Sequence, residues 1–287
     1  MNLFQILVLA LIQGFAELLP VSSSAHVIVA AKLMGLDPSS PEMTLLLVML
    51  HTGTMFAVIV YFWAAWRQTF FSSFAAFRRI VPLLIFSTLL TGLVGYPIKL
   101  VIEKVALRHI PNAEIEMIFG NLVLIAAALA AVGCLIIFAG QRRIPELERK
   151  DGIGWREAGW MGAIQGLCLP FRGFSRSGAT ISTGLILGAA KTRLEEYSFA
   201  LAVILTPPVV AREVKRLLDA QPATSAATGS VWHLFAPGLL GLILSFLAGL
   251  VALRWLSRWL EQGRWHFFGV YCVAASVGVF VLHHSGF

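Results

Sequence analysis

The chain has 287 residues, of which 58% are hydrophobic and 13% are charged. That charged share is about half of what an ordinary soluble domain carries, so a soluble surface of this size is excluded. Disorder is excluded as well, because a disordered chain combines few apolar residues with many charges. The composition therefore predicts an integral membrane protein.

The net charge of +7 comes from 22 basic and 15 acidic residues. In a soluble protein this excess suggests a nucleic-acid partner. Here the basic residues lie in short loops between apolar runs, as membrane topology requires, so we expect no nucleic-acid binding. The three cysteines have neither the spacing of a metal site nor that of a disulfide framework.

Six apolar runs are long enough, or nearly long enough, to cross a bilayer, which takes about 17–25 residues. In chain order they are 44–66, 80–98, 118–140, the shorter 197–211, the second part of 220–253, and 265–287. We predict one transmembrane helix from each.

Four further runs are too short to cross and form two adjacent pairs. They are 1–16 with 18–31, and 158–171 with 177–190. Polar residues, Pro or Gly split each pair, so we predict two re-entrant helical hairpins with tips buried in protein. Gln13 and Glu17 interrupt the first pair, and no basic residue precedes them, which argues against a cleaved signal peptide.

The two predicted hairpins share sequence. The residues LIQG at 11–14 recur as AIQG at 163–166, and each copy precedes a proline and a serine-rich turn. Each hairpin is followed by three spans, an odd number, so the second copy must be inverted in the membrane. We therefore predict one all-α transmembrane domain over residues 1–287, an inverted-topology repeat of about 1–140 and about 158–287.

Loop charges predict the orientation. Loops 67–79, 141–156 and 254–264 are rich in arginine and fall on one side, which the positive-inside rule assigns to the cytoplasm. Loop 37–43 is acidic and external, and loop 212–235 is external despite its basic residues. The first hairpin then opens outward and the second inward.

Two charged residues, Glu17 and Arg176, fall inside the predicted hairpins. A charge at membrane depth costs roughly 2.5–3.5 kcal/mol and marks a functional site by default. The polar residues beside them are Gln13, Ser22, Ser23, Ser24, His26, Ser175, Ser177 and Thr180. An arginine, hydroxyls and the amides at the start of the helix after Ser175 together suit a phosphate group.

Structural roles compete with this interpretation. Glu17 and Arg176 are also compatible with a structural ion pair, and the serines at 22–24 with helix N-caps. We interpret the other histidines, His51 among them, as interfacial residues at span ends or in loops.

Residues 13–26 (QGFAELLPVSSSAH) and 173–180 (GFSRSGAT) resemble the two signatures of the bacterial undecaprenyl-diphosphatases, the bacitracin-resistance proteins. The resemblance extends along the chain through HTGT at 51–54 and ALRWL at 252–256. It implies hydrolysis of undecaprenyl diphosphate to undecaprenyl phosphate, which recycles the cell-wall lipid carrier. It also implies a multi-pass protein of the inner membrane with an active site on the periplasmic side.

The resemblance assigns roles to individual residues. It implies catalytic roles for Glu17, Ser23, His26 and Arg176, and phosphate contacts for Ser175 and Thr180. From their place beside the two charges, we also expect substrate contacts from Gln13, Ser22, Ser24 and Ser177. It also implies a divalent cation, Mg²⁺ or Ca²⁺. As an alternative to acting as the base, Glu17 would hold this ion, with Gln13 adding a neutral oxygen. The family often has Glu where this chain has Gln13, which leaves one carboxylate, and residues 170–173 depart from the second signature by an added Arg172.

The mechanism has open alternatives at this point. Ser23 attacks the terminal phosphorus with His26 or Glu17 as the base, or water attacks and Ser23 positions it. A different class of function, a polyprenyl-phosphate transporter or flippase, would use the same anion site, because inverted repeats with broken helices are typical of transporters. A structural scaffold would leave Glu17 and Arg176 unexplained.

Overall fold

The structure, a computed structural model, describes residues 1–37, 41–110, 115–142, 144, 152–220 and 231–286. Within these residues the chain forms ten α-helices and no strand. They are α1 (Leu3–Leu18), α2 (Ser23–Leu33), α3 (Pro41–Thr69), α4 (Phe74–Val101), α5 (Leu122–Gln141), α6 (Trp155–Cys168), α7 (Arg176–Ile186), α8 (Lys191–Ala220), α9 (Val231–Glu261) and α10 (His266–His284).

Six helices are long and apolar enough to cross a membrane, which confirms the predicted all-α fold with six spans. The spans are Met43–Thr69, Phe74–Ala106, Leu122–Gln141, Lys191–Arg212, Ala236–Glu261 and His266–His284. The fourth begins at Lys191 rather than at 197, because two carboxylates in its first turns are buried instead of lying in a loop. Glu195 accepts a hydrogen bond from Ser257 at 2.8 Å, and Glu196 pairs with Arg193 at 3.2 Å.

The two predicted hairpins correspond to two pairs of short helices, α1 with α2 and α6 with α7. Helix α1 ends at Leu18 because Pro20 disfavours helical geometry in the residue before it, and Leu19 is extended. The tips of the two pairs meet: the Ser177 hydroxyl donates to the Leu19 carbonyl at 3.5 Å. Their re-entrant placement in a bilayer stays a prediction.

The repeated Gln-Gly dipeptide is a helix-packing device in both copies. A Cβ on Gly14 would lie 2.5 Å from the Ala248 Cβ of α9, and a Cβ on Gly166 would lie 2.6 Å from the Thr91 carbonyl oxygen of α4. Small residues allow such close backbone approach, which drives helix association in membranes where the hydrophobic effect between helices is absent. Helix α1 therefore packs on α9 of the other half, and α6 packs on α4.

Several predictions about membrane topology depend on loops that lie partly outside the residues that the structure describes. Loops 37–43, 141–156 and 212–235 are described only in part, since residues 38–40, 143, 145–151 and 221–230 are left out. The sidedness drawn from loop charges, the inversion of the second half and the repeat boundaries near 140 and 158 therefore stay predictions.

We expect Gly166→Ala to lower the thermal stability of the protein in detergent, because the added methyl overpacks the α4–α6 contact by an amount worth about 1–3 kcal/mol. Gly92→Ala is the matched control: Gly92 is also helical but has open space around it. There the methyl should leave the unfolding temperature unchanged or raise it. An equal loss in both variants would contradict the close-packing account.

Candidate active site at the meeting of two helical hairpins

Glu17 lies in the last turn of α1, and four side chains surround its carboxylate. Its Oε2 accepts hydrogen bonds from Gln13 Nε2 at 3.1 Å and from the Ser23 hydroxyl at 2.5 Å. His51 Nε2 lies 3.7 Å from the same oxygen. Gln13 and Glu17 share a helix face, as their spacing predicts. The carboxylate is thus oriented towards the hydroxyl of Ser23.

Arg176 is the first residue of α7 and supplies the opposite charge. Its Nη2 lies 3.8 Å from Glu17 Oε1, and its Nη1 donates to the Ser198 carbonyl of α8 at 3.4 Å. The side chains of Glu17 and Arg176 are 21% and 19% exposed. The structure therefore brings together the two charges that the sequence placed in separate hairpins, and leaves part of each accessible.

Ser23 opens α2 directly after a strained residue. Ser22 has φ +67° and ψ 93° and is the one residue other than glycine with positive φ in the described part of the chain. Non-glycine residues in this region cost about 1–3 kcal/mol and cluster at active sites. The Ser22 side chain does not cap α2 and instead lies 3.3 Å from the Ser24 hydroxyl. The first amides of α2 therefore remain available for phosphate oxygens.

His26 faces Tyr271 rather than Ser23. Its Nδ1 donates to the Ser22 carbonyl at 2.7 Å, so Nε2 is the nitrogen that accepts, and it receives the Tyr271 hydroxyl at 2.7 Å. The two rings stack with their centroids 5.6 Å apart. Of the two bases that the sequence left open for Ser23, Glu17 is the one in hydrogen-bond contact with its hydroxyl.

The hydroxyls of the second hairpin are engaged within the protein. Ser175 caps α7 by accepting from the Gly178 amide at 3.2 Å, and its oxygen lies 3.4 Å from the Ser177 hydroxyl. The Thr180 hydroxyl donates to the Arg176 carbonyl at 2.9 Å and lies 2.6 Å from the Ser198 hydroxyl. These residues hold the start of α7, and with it Arg176, against α8. Direct phosphate contacts by them stay predictions.

Two residues of this site were missed by the sequence analysis. The interpretation of His51 as an interfacial residue is wrong, because its imidazole reaches Glu17 from α3. Its position well inside the predicted span 44–66 was a usable signal. Tyr271 carried no signal, since it is one of several aromatic residues in an apolar run and lies 245 positions from His26.

The added Arg172 contacts an aromatic side chain. Its guanidinium lies over the ring of Phe119, 4.4 Å from the centroid, just before the start of α5. A cation–π contact of this kind anchors the tip of the second hairpin to the segment that precedes α5.

The described residues contain no group of three or more His, Cys, Asp or Glu side chains that could hold a metal ion. Among the residues that the structure describes, Glu17 is the single carboxylate at the site, and Arg176 already faces it. Mg²⁺ is commonly held by one or two carboxylates together with substrate phosphates. The donor set thus suits a cation that arrives with a diphosphate rather than one bound by the protein alone.

Comparisons with known proteins agree with the residues at this site. Residues 6–278 match the family described as bacitracin resistance protein BacA. The chain is 54% identical to "Undecaprenyl-diphosphatase 2" of Acinetobacter baylyi, with 98% of each protein covered. It is 30% identical to "Undecaprenyl-diphosphatase" of Rhodopirellula baltica, again over 98% of each, and 32% identical to "Undecaprenyl-diphosphatase 2" of Burkholderia orbicola over 99% of each. With its two signatures converging on one site, the chain belongs to the bacitracin resistance protein BacA family.

Proposed function

We propose that this protein is a membrane phosphatase that hydrolyses undecaprenyl diphosphate to undecaprenyl phosphate and inorganic phosphate, and so recycles the cell-wall lipid carrier. The observation that carries the proposal is the arrangement around the Glu17 carboxylate. One of its oxygens accepts a hydrogen bond from the Ser23 hydroxyl, and the other lies 3.8 Å from the Arg176 guanidinium. Nucleophile, base and anion partner lie together where two broken helices meet. The full-length similarity to proteins named undecaprenyl-diphosphatase supports the same reaction.

The diphosphate binds first. The Arg176 guanidinium and the uncapped amides at the start of α2 provide fixed donors for its oxygens, and positioned positive groups supply most of the rate in phosphoryl transfer. In the free protein, Arg176 compensates the negative charge of Glu17. An incoming phosphate shares the guanidinium with Glu17. The second hairpin keeps the guanidinium in place through Ser198.

Ser23 then attacks the terminal phosphorus. Its proton passes to Glu17 Oε2, its Oγ bonds to phosphorus, and the bond to the bridging oxygen breaks, so undecaprenyl phosphate leaves with the electron pair. Water next cleaves the phosphoserine, which restores the Ser23 hydroxyl and releases inorganic phosphate, and Glu17 returns its proton to solvent. His26 hydrogen-bonds with the Ser22 carbonyl and with Tyr271, and so fixes the start of α2, where Ser23 lies.

The prenyl tail enters from the bilayer. Tyr271, the hydrogen-bond partner of His26, is 47% exposed on the outer surface of α10, a predicted span. A lipid substrate can therefore keep its tail among acyl chains while its head reaches Ser23. We further propose that the site serves the periplasmic side of the bacterial inner membrane, since the first hairpin is predicted to open outward.

We propose Mg²⁺ or Ca²⁺ as the divalent cation, for which Glu17 would be the protein ligand. When bound, the ion would neutralise phosphate charge. A lipid flippase is the less favoured function. It needs an anion site but has no use for a serine hydroxyl bonded to a carboxylate.

We expect Ser23→Ala and Arg176→Ala each to reduce phosphate release from a C55 polyprenyl diphosphate by at least about a hundredfold, because each removes a group that acts in the transition state. Phosphate is measured from the purified protein with divalent cation present. The matched controls are Ser285→Ala, at the exposed end of α10, and Arg78→Ala, exposed near the start of α4. Undiminished release from Ser23→Ala would overturn the serine mechanism.

We expect Tyr271→Phe to lower kcat about 3- to 10-fold with KM nearly unchanged, because the ring stack stays while one hydrogen bond to His26 is lost. Tyr271→Leu removes both contacts and should lower kcat further. Steady-state kinetics with thermal unfolding of the same samples separates this from a general loss of fold. A kcat equal to that of the unmodified protein in both variants would show that Tyr271 has no role in the reaction.

Gln13→Glu adds a second carboxylate on the same face as Glu17. We expect it to lower the Mg²⁺ concentration for half-maximal activity about 3- to 10-fold, since Mg²⁺ affinity rises with ligand charge. Gln165→Glu at the equivalent place in the other half, where the amide bonds Thr91, is the control and should leave the cation titration unchanged. An unchanged titration in Gln13→Glu would exclude a cation beside Glu17.

A further inference from the structure

A cavity lined by arginines lies far along the chain from the hairpin signatures, at the end of α9. It has a volume of about 610 Å³, and its walls are Arg254, Trp255, Arg258, Trp259, Gln262 and Arg264. Three arginines face this space, and no acidic residue from the described part of the chain does. Among the described residues none of the three forms an ion pair, in contrast to Arg176 and Arg193. The cavity has room for a lipid headgroup.

Helix geometry explains why these residues converge. Arg254 and Arg258 are four positions apart and share one face of α9, and Trp255 and Trp259 share the adjacent face. The two indole rings meet edge to face with centroids 5.2 Å apart. Trp259 also packs against Phe268 of α10 at 5.1 Å, so the aromatic wall is fixed between two spans.

The third arginine is placed by a tight turn. Gly263 has φ +71° and ends α9, while the Arg264 amide donates back to the Trp259 carbonyl at 2.8 Å. Glycine adopts this left-handed geometry without strain, as is usual at helix C-termini. The turn brings Arg264 back to the cavity that Arg254 and Arg258 line. The positive-inside rule alone explains positive charge near the end of α9. It does not require three guanidinium groups around one cavity.

The surface beside the cavity is apolar and exposed. Leu247 and Val251 continue the same face of α9 towards the middle of its span and are 52% and 54% exposed. A ligand at this place therefore meets cations and indole rings at one end and an open apolar stripe at the other. That combination matches a phosphate-bearing headgroup with acyl chains attached.

We propose that this cavity is a binding site for an anionic phospholipid of the leaflet that the positive-inside rule makes cytoplasmic. Guanidinium groups bind phosphate oxygens through paired hydrogen bonds, and indole rings favour the headgroup level of a bilayer. The phosphate lies among Arg254, Arg258 and Arg264, and the chains run along Leu247 and Val251. This site is separate from Ser23 and Arg176 and does not depend on the phosphatase reaction.

The test measures lipid binding to the full chain in detergent by native mass spectrometry, with phosphatidylglycerol, phosphatidylcholine and inorganic diphosphate as probes. The triple variant R254Q/R258Q/R264Q removes the cations. The matched control R67Q/R78Q/R79Q removes three arginines at the adjoining ends of α3 and α4, on the same predicted side. We expect phosphatidylglycerol to bind at least about tenfold more weakly to the cavity variant and within about twofold of normal to the control.

Equal weakening in both triple variants would overturn the proposal, because it would show a general effect of basic loops. So would equal binding of phosphatidylcholine, or displacement of the lipid by inorganic diphosphate at the same affinity, which would indicate a soluble anion site. Should the triple variant not fold, R264Q decides alone. Its arginine lies in an exposed turn, and its loss should weaken phosphatidylglycerol at least about threefold.

Discussion

An ionised carboxylate at membrane depth requires a partner, and the arrangement of the two hairpins satisfies this requirement for Glu17. Neither hairpin contains both charges: Glu17 ends α1 and Arg176 begins α7, 3.8 Å away. The tips must therefore meet for either charge to be tolerated. The turns at Pro20 and Ser175, the packing of α1 on α9 and that of α6 on α4 all serve this meeting. A site for a charged substrate arises at the same place.

Glycine makes the meeting possible without bulky polar surfaces between helices. At Gly14 and Gly166 the hairpin helices approach neighbouring spans so closely that one methyl group would clash. The glutamines that directly precede these two glycines have different hydrogen-bond partners. Gln13 bonds the Glu17 carboxylate, whereas Gln165 bonds Thr91 within the helix contact. The two halves thus share a packing device, and only one of them places its amide at the site.

The sequence predicted the elements better than the contacts. Run length and interrupting polar residues were enough for six spans and two short helix pairs, because hydrophobic thickness constrains both. Glu17 and Arg176 stood out because charge is rare in such runs. Tyr271 did not, since its role depends on how α10 rotates against the hairpins, and that rotation is set by packing. His51 gave a signal, a polar residue inside a predicted span, but its partner Glu17 depends on the packing of α3 against α1. The buried start of α8 was missed for a related reason, since Ser257 and Arg193 stabilise its carboxylates only in the folded chain.

The tie between α7 and α8 makes the active site sensitive to its surroundings. Arg176 and Thr180 both contact Ser198, so the guanidinium follows the tilt of α8, while Glu17 follows α1 and the span α9 beneath it. Spans adjust their tilt when bilayer thickness changes. We therefore expect membrane thickness to affect the separation of the two charges. Through that separation, we expect the acyl-chain length of the host membrane to influence turnover.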